Sequence, residues 1–146
     1  MITTLQNIQT EIAAKIHLSI YAKRTDANLT DRENISVLLE KNGFSIPPGT
    51  HWEFIPSEKA KSFFVQLSTR DIVSNEEVFD RMQGEAHWLA FQEFCLSSMR
   101  FYTNIVGADA FVAGESFVWQ GVSNANFEAA LMCTDDDKVV IFLVVD

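Results

Sequence analysis

Histidine and cysteine are the side chains most often used as metal ligands and nucleophiles, and their spacing limits what they can do here. The histidines are His17, His51 and His87, and the cysteines are Cys95 and Cys133. No pair of them has the i, i+4 spacing of a helical metal site, and no CxxC motif occurs. The sequence therefore predicts no metal site and no cofactor, and both thiols are expected in the apolar core.

The serine and glycine motifs of common enzyme families are also missing. The chain contains no GxSxG or SxxK motif, no P-loop and no GxGxxG turn, and its six glycines are scattered. These motifs position a nucleophilic serine or cradle a phosphate group. We therefore predict no catalytic residue of these classes.

Glu115 is the carboxyl group with the most unusual predicted position. If residues 111–120 form a strand, alternation places Glu115 on one face with Phe117 and Trp119. Burial on that face would raise its pKa, which is how an acid–base site can begin. Gly114 favours the alternative, a bulge that returns Glu115 to solvent. Glu115, Trp119 and His87 are the candidate pocket of an alternative function, a small-molecule-binding domain or an enzyme with an unrecognised pocket around the sheet.

Three consecutive acids, Asp135, Asp136 and Asp137, invite comparison with a calcium loop. An EF-hand needs oxygens at alternating positions, a central glycine and a distal glutamate. Here the run is followed directly by Lys138 and an apolar segment. The pattern is typical of a solvated hairpin turn.

The charge balance excludes some partners and favours others. With 11 basic and 20 acidic residues among 146, the formal net charge is −9, which argues against nucleic acid and anionic membranes as partners. In residues 101–146, Lys138 is the single basic residue, against seven acids: Asp109, Glu115, Glu128, Asp135, Asp136, Asp137 and Asp146. This surplus fits either a solubilising face or a surface that binds a basic protein.

The predicted function is a small acidic interaction protein, such as an inhibitor or immunity-type protein that binds a basic partner. This class is suggested by charge and size alone. The expected partner-binding residues are Asp135, Asp136, Asp137, Glu128 and Trp52. Trp52 is included because it follows Pro47-Pro48-Gly49 and is expected to be the most exposed aromatic side chain. A homodimer completed by the apolar last strand is also considered.

The ends and apolar runs of the chain predict a cytoplasmic protein. Its first residues lack the basic region and apolar core of a secretory signal. The longest uninterrupted apolar run, residues 139–145, is too short to cross a bilayer.

The first two-thirds of the chain are predicted to be helical. A helix is expected over residues 4–22, although the alternation of Ile16, Leu18 and Ile20 also fits a strand. Thr30 and Glu33 form a capping box for a short helix that ends at Gly43. Further helices are expected to begin at Ser57, at a Ser74–Glu77 capping box, and near Glu85, the last extending to Tyr102.

After Gly107 the pattern changes to strands, over residues 111–120, 127–134 and 138–145. Short connections predict an antiparallel meander, and the uniformly apolar last strand predicts cover on both faces. The predicted fold is a single α+β domain over residues 1–146. Its helical N-terminal two-thirds pack on a C-terminal three-stranded antiparallel meander.

Overall fold

The computed structural model describes residues 2–95 and 98–146, which form five helices and two antiparallel sheets. The helices are α1 (Ile2–Ala13), α2 (Asp31–Lys41), α3 (Ser57–Thr69), α4 (Arg81–Phe94) and α5 (Ala108–Val112). The strands are β1 (Leu18–Arg24), β2 (Glu53–Ile55), β3 (Arg100–Thr103), β4 (Ile105–Val106), β5 (Val118–Trp119), β6 (Glu128–Thr134) and β7 (Lys138–Val145). The larger sheet has the order β1-β7-β6-β3-β2, and β4 pairs with β5 in the smaller one.

The larger sheet separates two hydrophobic clusters. Val140, Phe142 and Val144 of β7 face a cluster built with α1, α3, α4 and α5. Val139, Ile141 and Leu143 face a second cluster with α2. The prediction that β7 is covered on both faces is confirmed. Because β1 and β6 also pair with its two edges, β7 is not available to complete a dimer interface.

The predicted three-stranded C-terminal meander is wrong, although the fold is α+β. β6 and β7 form the expected hairpin, but their sheet has five strands and recruits β1, β2 and β3 from earlier in the chain. The neighbour of β6 is β3, which pairs Phe101 with Cys133 and Tyr102 with Met132. The sequence of a strand does not reveal which distant strand pairs with it, because the backbone groups that form the hydrogen bonds are the same at nearly every residue.

The predicted strand over residues 111–120 is replaced by α5 and the two-residue β5. Gly114 has a left-handed backbone with φ 75°. Its amide donates to Phe111 O, and the amide of Glu115 donates to Ala110 O at 3.0 Å. This is a Schellman ending of a helix. Gly114 thus ends α5 and does not form a bulge, and Glu115 is exposed.

Two other helix predictions are wrong at their ends. The chain leaves α1 at Ala13, and the alternating residues after Ile16 form β1, since their partners on β7 lie opposite them. The helix predicted to begin at the Ser74–Glu77 box is absent, because residues 71–80 form a loop in which Glu77 pairs with Arg70. The helix predicted from Glu85 to Tyr102 is α4, which begins earlier, is capped by Asp80 and Gln83, and ends at Phe94. The part of the predicted helix at residues 96–97 lies outside the described residues.

The boundaries of α2 are confirmed. The Thr30 hydroxyl accepts the Glu33 amide, and Glu33 accepts the Thr30 amide. Gly43 follows the helix with φ 87°, and the Phe44 amide donates to Leu39 O. α2 therefore begins at a fixed place over one end of the sheet. This positions Asp31 to accept hydrogen bonds from Arg100, and Arg32 to donate to the Trp52 carbonyl.

Candidate functional site

The β6–β7 turn and the first turn of α2 lie at one end of the sheet, here called the hairpin end. It contains the turn residues Asp135, Asp136 and Asp137 together with Asp31 and Arg100. Arg100 links these elements, since Nε donates to Asp31 Oδ2 at 2.7 Å and Nη2 donates to Asp31 Oδ1 at 3.0 Å. Its Nη1 donates to Asp136 Oδ1 at 3.4 Å.

Asp31 is also the acceptor for the Tyr102 hydroxyl, at 2.8 Å. The Arg100 hydrogen bonds keep the pKa of Asp31 below its usual value, despite partial burial. Burial, and then the Asp31 contact, raise the pKa of Tyr102 to about 12. Asp31 and Arg100 therefore form an ion pair that links α2 to β3. Neither Asp31 nor Tyr102 has a pKa near 7, so neither is suited to proton transfer at neutral pH.

Asp135 is a structural residue of the turn. Its Oδ1 accepts the amides of Asp137 and Lys138, both at 2.7 Å, and its Oδ2 accepts Lys138 Nζ at 2.9 Å. Burial acts to raise the pKa of Asp135, but Lys138 and the two amides outweigh it, so the pKa lies below its usual value. The Asp135 side chain has no exposed surface. Asp136 and Asp137 are exposed.

Trp52 is buried, not exposed, with 1% of its surface accessible. Its Nε1 donates to the Ser36 hydroxyl on α2, and its carbonyl accepts Arg32 Nε at 2.9 Å. The Arg32 guanidinium lies 5.0 Å from the centre of the Tyr102 ring. The structure thus connects Trp52 to Asp136 through Arg32, Tyr102, Asp31 and Arg100, but it leaves no surface of Trp52 for a partner.

Glu128 lies at the other end of β6 and is completely buried. Its carboxylate accepts the Val122 amide at 2.9 Å, the Ser123 amide at 3.0 Å, the Ser123 hydroxyl at 2.6 Å and Asn104 Nδ2 at 3.0 Å. These donors fix the loop between β5 and β6. Glu128 is therefore a structural anchor, and the expectation that it contacts a partner does not fit its position.

The end of the sheet near Glu128, here called the groove end, carries an open groove of about 310 Å³. The loop at residues 70–75 forms one wall and residues 114–117 form the other. Leu67, Phe111, Phe117, Phe127 and Val144 line its apolar part. The groove is formed where α5 ends, because the left-handed Gly114 turns the chain across the loop that follows α3.

Four aromatic rings lie in series beside this groove. Phe111 contacts Phe117 with centroids 5.1 Å apart, Phe117 contacts Trp119 at 5.7 Å, and Trp119 contacts Phe127 at 5.6 Å. Phe117 and Phe127 are partly exposed. Of the three predicted pocket residues, Glu115 lies on the rim and Trp119 lies behind the floor. His87 lies elsewhere, with Nε2 2.5 Å from Glu11 Oε2 between α4 and α1.

Two acidic side chains line the groove, the predicted pocket residue Glu115 and Asp71, which sequence reasoning missed. Asp71 Oδ1 accepts the amides of Val73 and Ser74, both at 2.9 Å, and these bonds lower the pKa of Asp71. Glu76 lies in the same loop, and Asp146 donates its amide to Phe127 O. Within residues 2–95 and 98–146, none of Asp71, Glu76, Glu115 and Asp146 forms an ion pair.

Arg70 is the basic residue of this rim. Its Nη1 donates to Asn75 O at 2.8 Å, and its Nη2 lies 3.8 Å from Glu77 Oε2. Asn75 has φ 60° and accepts Gln66 Nε2 on its side-chain oxygen at 2.8 Å. These contacts hold the loop in place and turn the Arg70 charge toward Glu77, which lines a neighbouring groove. The charged side chains that line the groove are therefore Arg70, Asp71 and Glu115, one positive and two negative, beside an aromatic floor.

The described residues hold no group of three or more His, Cys, Asp or Glu side chains that could bind a metal ion. Both cysteines are free thiols. Burial raises the pKa of Cys95 to about 11 and raises that of Cys133 well above its usual value, so both thiols are poor nucleophiles at neutral pH. In the part of the chain that the structure describes, no helix has the length and apolar character needed to cross a bilayer.

Comparison of the chain with protein-family models, with curated proteins and with solved structures gives no match.

Proposed function

We propose that this protein is a non-enzymatic interaction protein that binds a basic protein partner through its groove end. The observation that carries the proposal is an aromatic groove lined by Asp71 and Glu115. Glu76 and Asp146 adjoin it through backbone contacts to Asp71 and Phe127. None of these four acids forms an ion pair among the described residues. Exposed carboxylates attract a cationic partner over long range, and partly exposed rings supply apolar contact area once it arrives. An inhibitor or immunity-type protein would need both properties.

Two further features support a role in binding. The pKa of Asp71 is lowered by backbone amides, so its charge persists in mildly acidic solution. The thiols of Cys95 and Cys133 are unpaired, which fits a reducing, cytoplasmic location. The acidic balance of the whole chain, −9, disfavours nucleic acid as the partner.

The test compares two variants that each remove two exposed charges. Glu115→Gln/Asp146→Asn changes the groove end, and Asp136→Asn/Asp137→Asn changes the hairpin end. Wild type and both variants are immobilised and used to capture proteins from host extract at low and high salt, and captured basic proteins are identified and purified. The association rate constant of the purified partner is then measured with each variant.

The groove-end variant is expected to slow association about three- to tenfold at low salt, because steering depends on charges near the contact. The hairpin-end variant is expected to associate at the wild-type rate within about twofold. Added salt should reduce the difference. A partner that is slowed only by the hairpin-end variant, or that binds both variants as fast as wild type, would contradict the proposal.

The groove also supports a second candidate function, the binding of a small molecule. Its volume of about 310 Å³ lies at the lower end of the range for ligand sites, roughly 300–1,000 Å³. A metabolite extract equilibrated with the protein and analysed by mass spectrometry tests this candidate. Enrichment that Glu115→Gln abolishes would favour it over the protein partner.

A further inference from the structure

The groove has a shape and chemistry that select one kind of side chain. We infer that the groove end seats an arginine side chain, with its guanidinium between the Asp71 and Glu115 carboxylates and against the Phe117 and Phe127 rings. That this arginine belongs to a protein partner rests on the proposed function. The inference that the groove binds an arginine side chain does not depend on that proposal, because it is drawn from the residues that line the groove.

The floor of the groove fits a planar cation. Phe117 and Phe127 line it and are partly exposed, and a guanidinium is attracted to an aromatic ring and stacks on it more often than an ammonium does. Among the described residues, the Arg32 guanidinium lies 5.0 Å from the Tyr102 ring centre, and the ammonium groups of Lys15 and Lys138 lie 5.3 and 5.5 Å from phenylalanine rings. A planar guanidinium is therefore the cation that can stack best on the Phe117 and Phe127 rings.

The rim supplies acceptors for several donors. Asp71 Oδ1 accepts two backbone amides at 2.9 Å, and the Asp71 carboxylate forms no ion pair among the described residues. The Glu115 carboxylate is exposed and has no ion pair within the described chain. A guanidinium has five N–H donors in a fixed fork, and a lysine ammonium has three on one atom. Two carboxylates on one rim therefore favour arginine over lysine.

Arg70 also lines the groove, but it forms no ion pair with Asp71 or Glu115 among the described residues. Its guanidinium is held by Asn75 O at 2.8 Å and faces Glu77 at 3.8 Å. Glu77 lines the neighbouring groove but not this one. The volume of about 310 Å³ is small for a cofactor and suits one long side chain.

The test uses three amino-acid amides as probes, followed by ¹⁵N chemical shifts of the intact protein. N-acetyl-arginine amide is the ligand, N-acetyl-citrulline amide is its uncharged isostere, and N-acetyl-lysine amide carries the same charge on a compact group. Arginine amide is expected to bind in the millimolar range, since it has few heavy atoms. Its shifts should centre on residues 71–76 and 114–117. Citrulline amide should bind at least about fivefold more weakly, with lysine amide between the two.

Glu115→Gln is expected to weaken binding of arginine amide about two- to fivefold, as for an exposed ion pair. Asp137→Asn, which removes one exposed charge from the hairpin end, should leave the affinity unchanged. Equal binding of arginine and citrulline amides, or shifts centred away from the groove, would overturn the inference. So would an affinity that Glu115→Gln does not change.

The two proposals can fail separately. If arginine amide binds in the groove but no protein partner is captured, the inference that the groove binds arginine stands and the proposed function is contradicted. A partner captured through the groove end, together with equal affinity for arginine and citrulline amides, would contradict the arginine seat alone.

Discussion

At the hairpin end of the sheet, Asp31, Asp135 and Asp136 form ion pairs and Asp137 forms none within the described chain; at the groove end, most of the acidic side chains form none. Asp31 and Asp136 share Arg100, and Asp135 holds Lys138. At the groove end, Arg70 contacts Glu77, while Asp71, Glu76, Glu115 and Asp146 form no ion pair within the described chain. We therefore expect the run of three aspartates to contribute less to the electrostatic field outside the protein than the four acids of the groove end.

Each end also has one fully buried carboxylate, and these two differ in the same way. Asp135 is neutralised by the Lys138 ammonium at 2.9 Å. Glu128 is satisfied by uncharged donors, the two amides of Val122 and Ser123, the Ser123 hydroxyl and Asn104. A carboxylate can thus be structural at either end. The exposed acids without an ion pair within the described chain remain for binding, and Asp137 is one of them at the hairpin end.

The largest expected effect is the loss of Glu128. Glu128→Ala leaves the Val122 and Ser123 amides and Asn104 Nδ2 without their acceptor, and each orphaned buried donor is costly. The free energy of unfolding in urea should fall by about 3–5 kcal/mol. Glu128→Gln keeps one acceptor oxygen and should lose about 1–3 kcal/mol. A loss below about 1 kcal/mol for the alanine variant would show that Glu128 is not a structural anchor.

A smaller effect separates two neighbouring aspartates of the hairpin end. Asp135→Ala removes the acceptor of two backbone amides and of Lys138, so the free energy of unfolding should fall by about 1–3 kcal/mol. Asp136→Ala, whose side chain is 91% exposed, should change it by less than about 0.5 kcal/mol. Equal losses for the two variants would contradict the assignment of Asp135 to structure and Asp136 to the surface.

The smallest effect is the pH dependence that Asp31 adds. Because Arg100 lowers its pKa in the folded protein, the unfolded chain takes up the proton first as the pH falls. The stabilisation is thus complete above the unfolded pKa, about 3.9, and is lost as the pH falls through the lower folded pKa.

Wild type should therefore lose more stability than Asp31→Asn between about pH 5 and pH 2, by roughly 0.5–1 kcal/mol. Unfolding in urea at several pH values measures the difference. Asp136→Asn is the control and should keep the wild-type slope. The same slope for wild type and Asp31→Asn would mean that the Arg100–Asp31 clamp adds no stability.

Local signals predicted the parts of the fold that are closed by local hydrogen bonds. The Thr30–Glu33 box and Gly43 gave both ends of α2, and the Asp135–Asp137 turn gave the β6–β7 hairpin. β3 was missed because Arg100–Thr103 owes its structure to pairing with β6, far along the chain. The error at residues 111–120 was avoidable, since three alanines precede the helix-ending Gly114.

The groove end was predicted only in part: Glu115 was a candidate pocket residue, but the other acids lie far from it in the sequence, at residues 71, 76 and 146. Only the return of the chain after α5 and the end of β7 brings them to one place. One local signal was available: Asp71 is followed by a serine and an asparagine, which is typical of a turn closed by the aspartate side chain. Charge counting placed the surplus in residues 101–146 but did not show that Asp135 and Glu128 are buried.

The central claim, that the exposed negative field lies at the groove end, can be measured directly on the protein alone. Paramagnetic relaxation of the amide protons is recorded with a cationic nitroxide and with its uncharged analogue, at low salt. The ratio of the two effects reports the local potential at each amide. We predict a ratio at residues 71–76 and 114–116 at least about twofold higher than at residues 135–138. A ratio that is equal at both ends, or higher at the hairpin, would contradict the account.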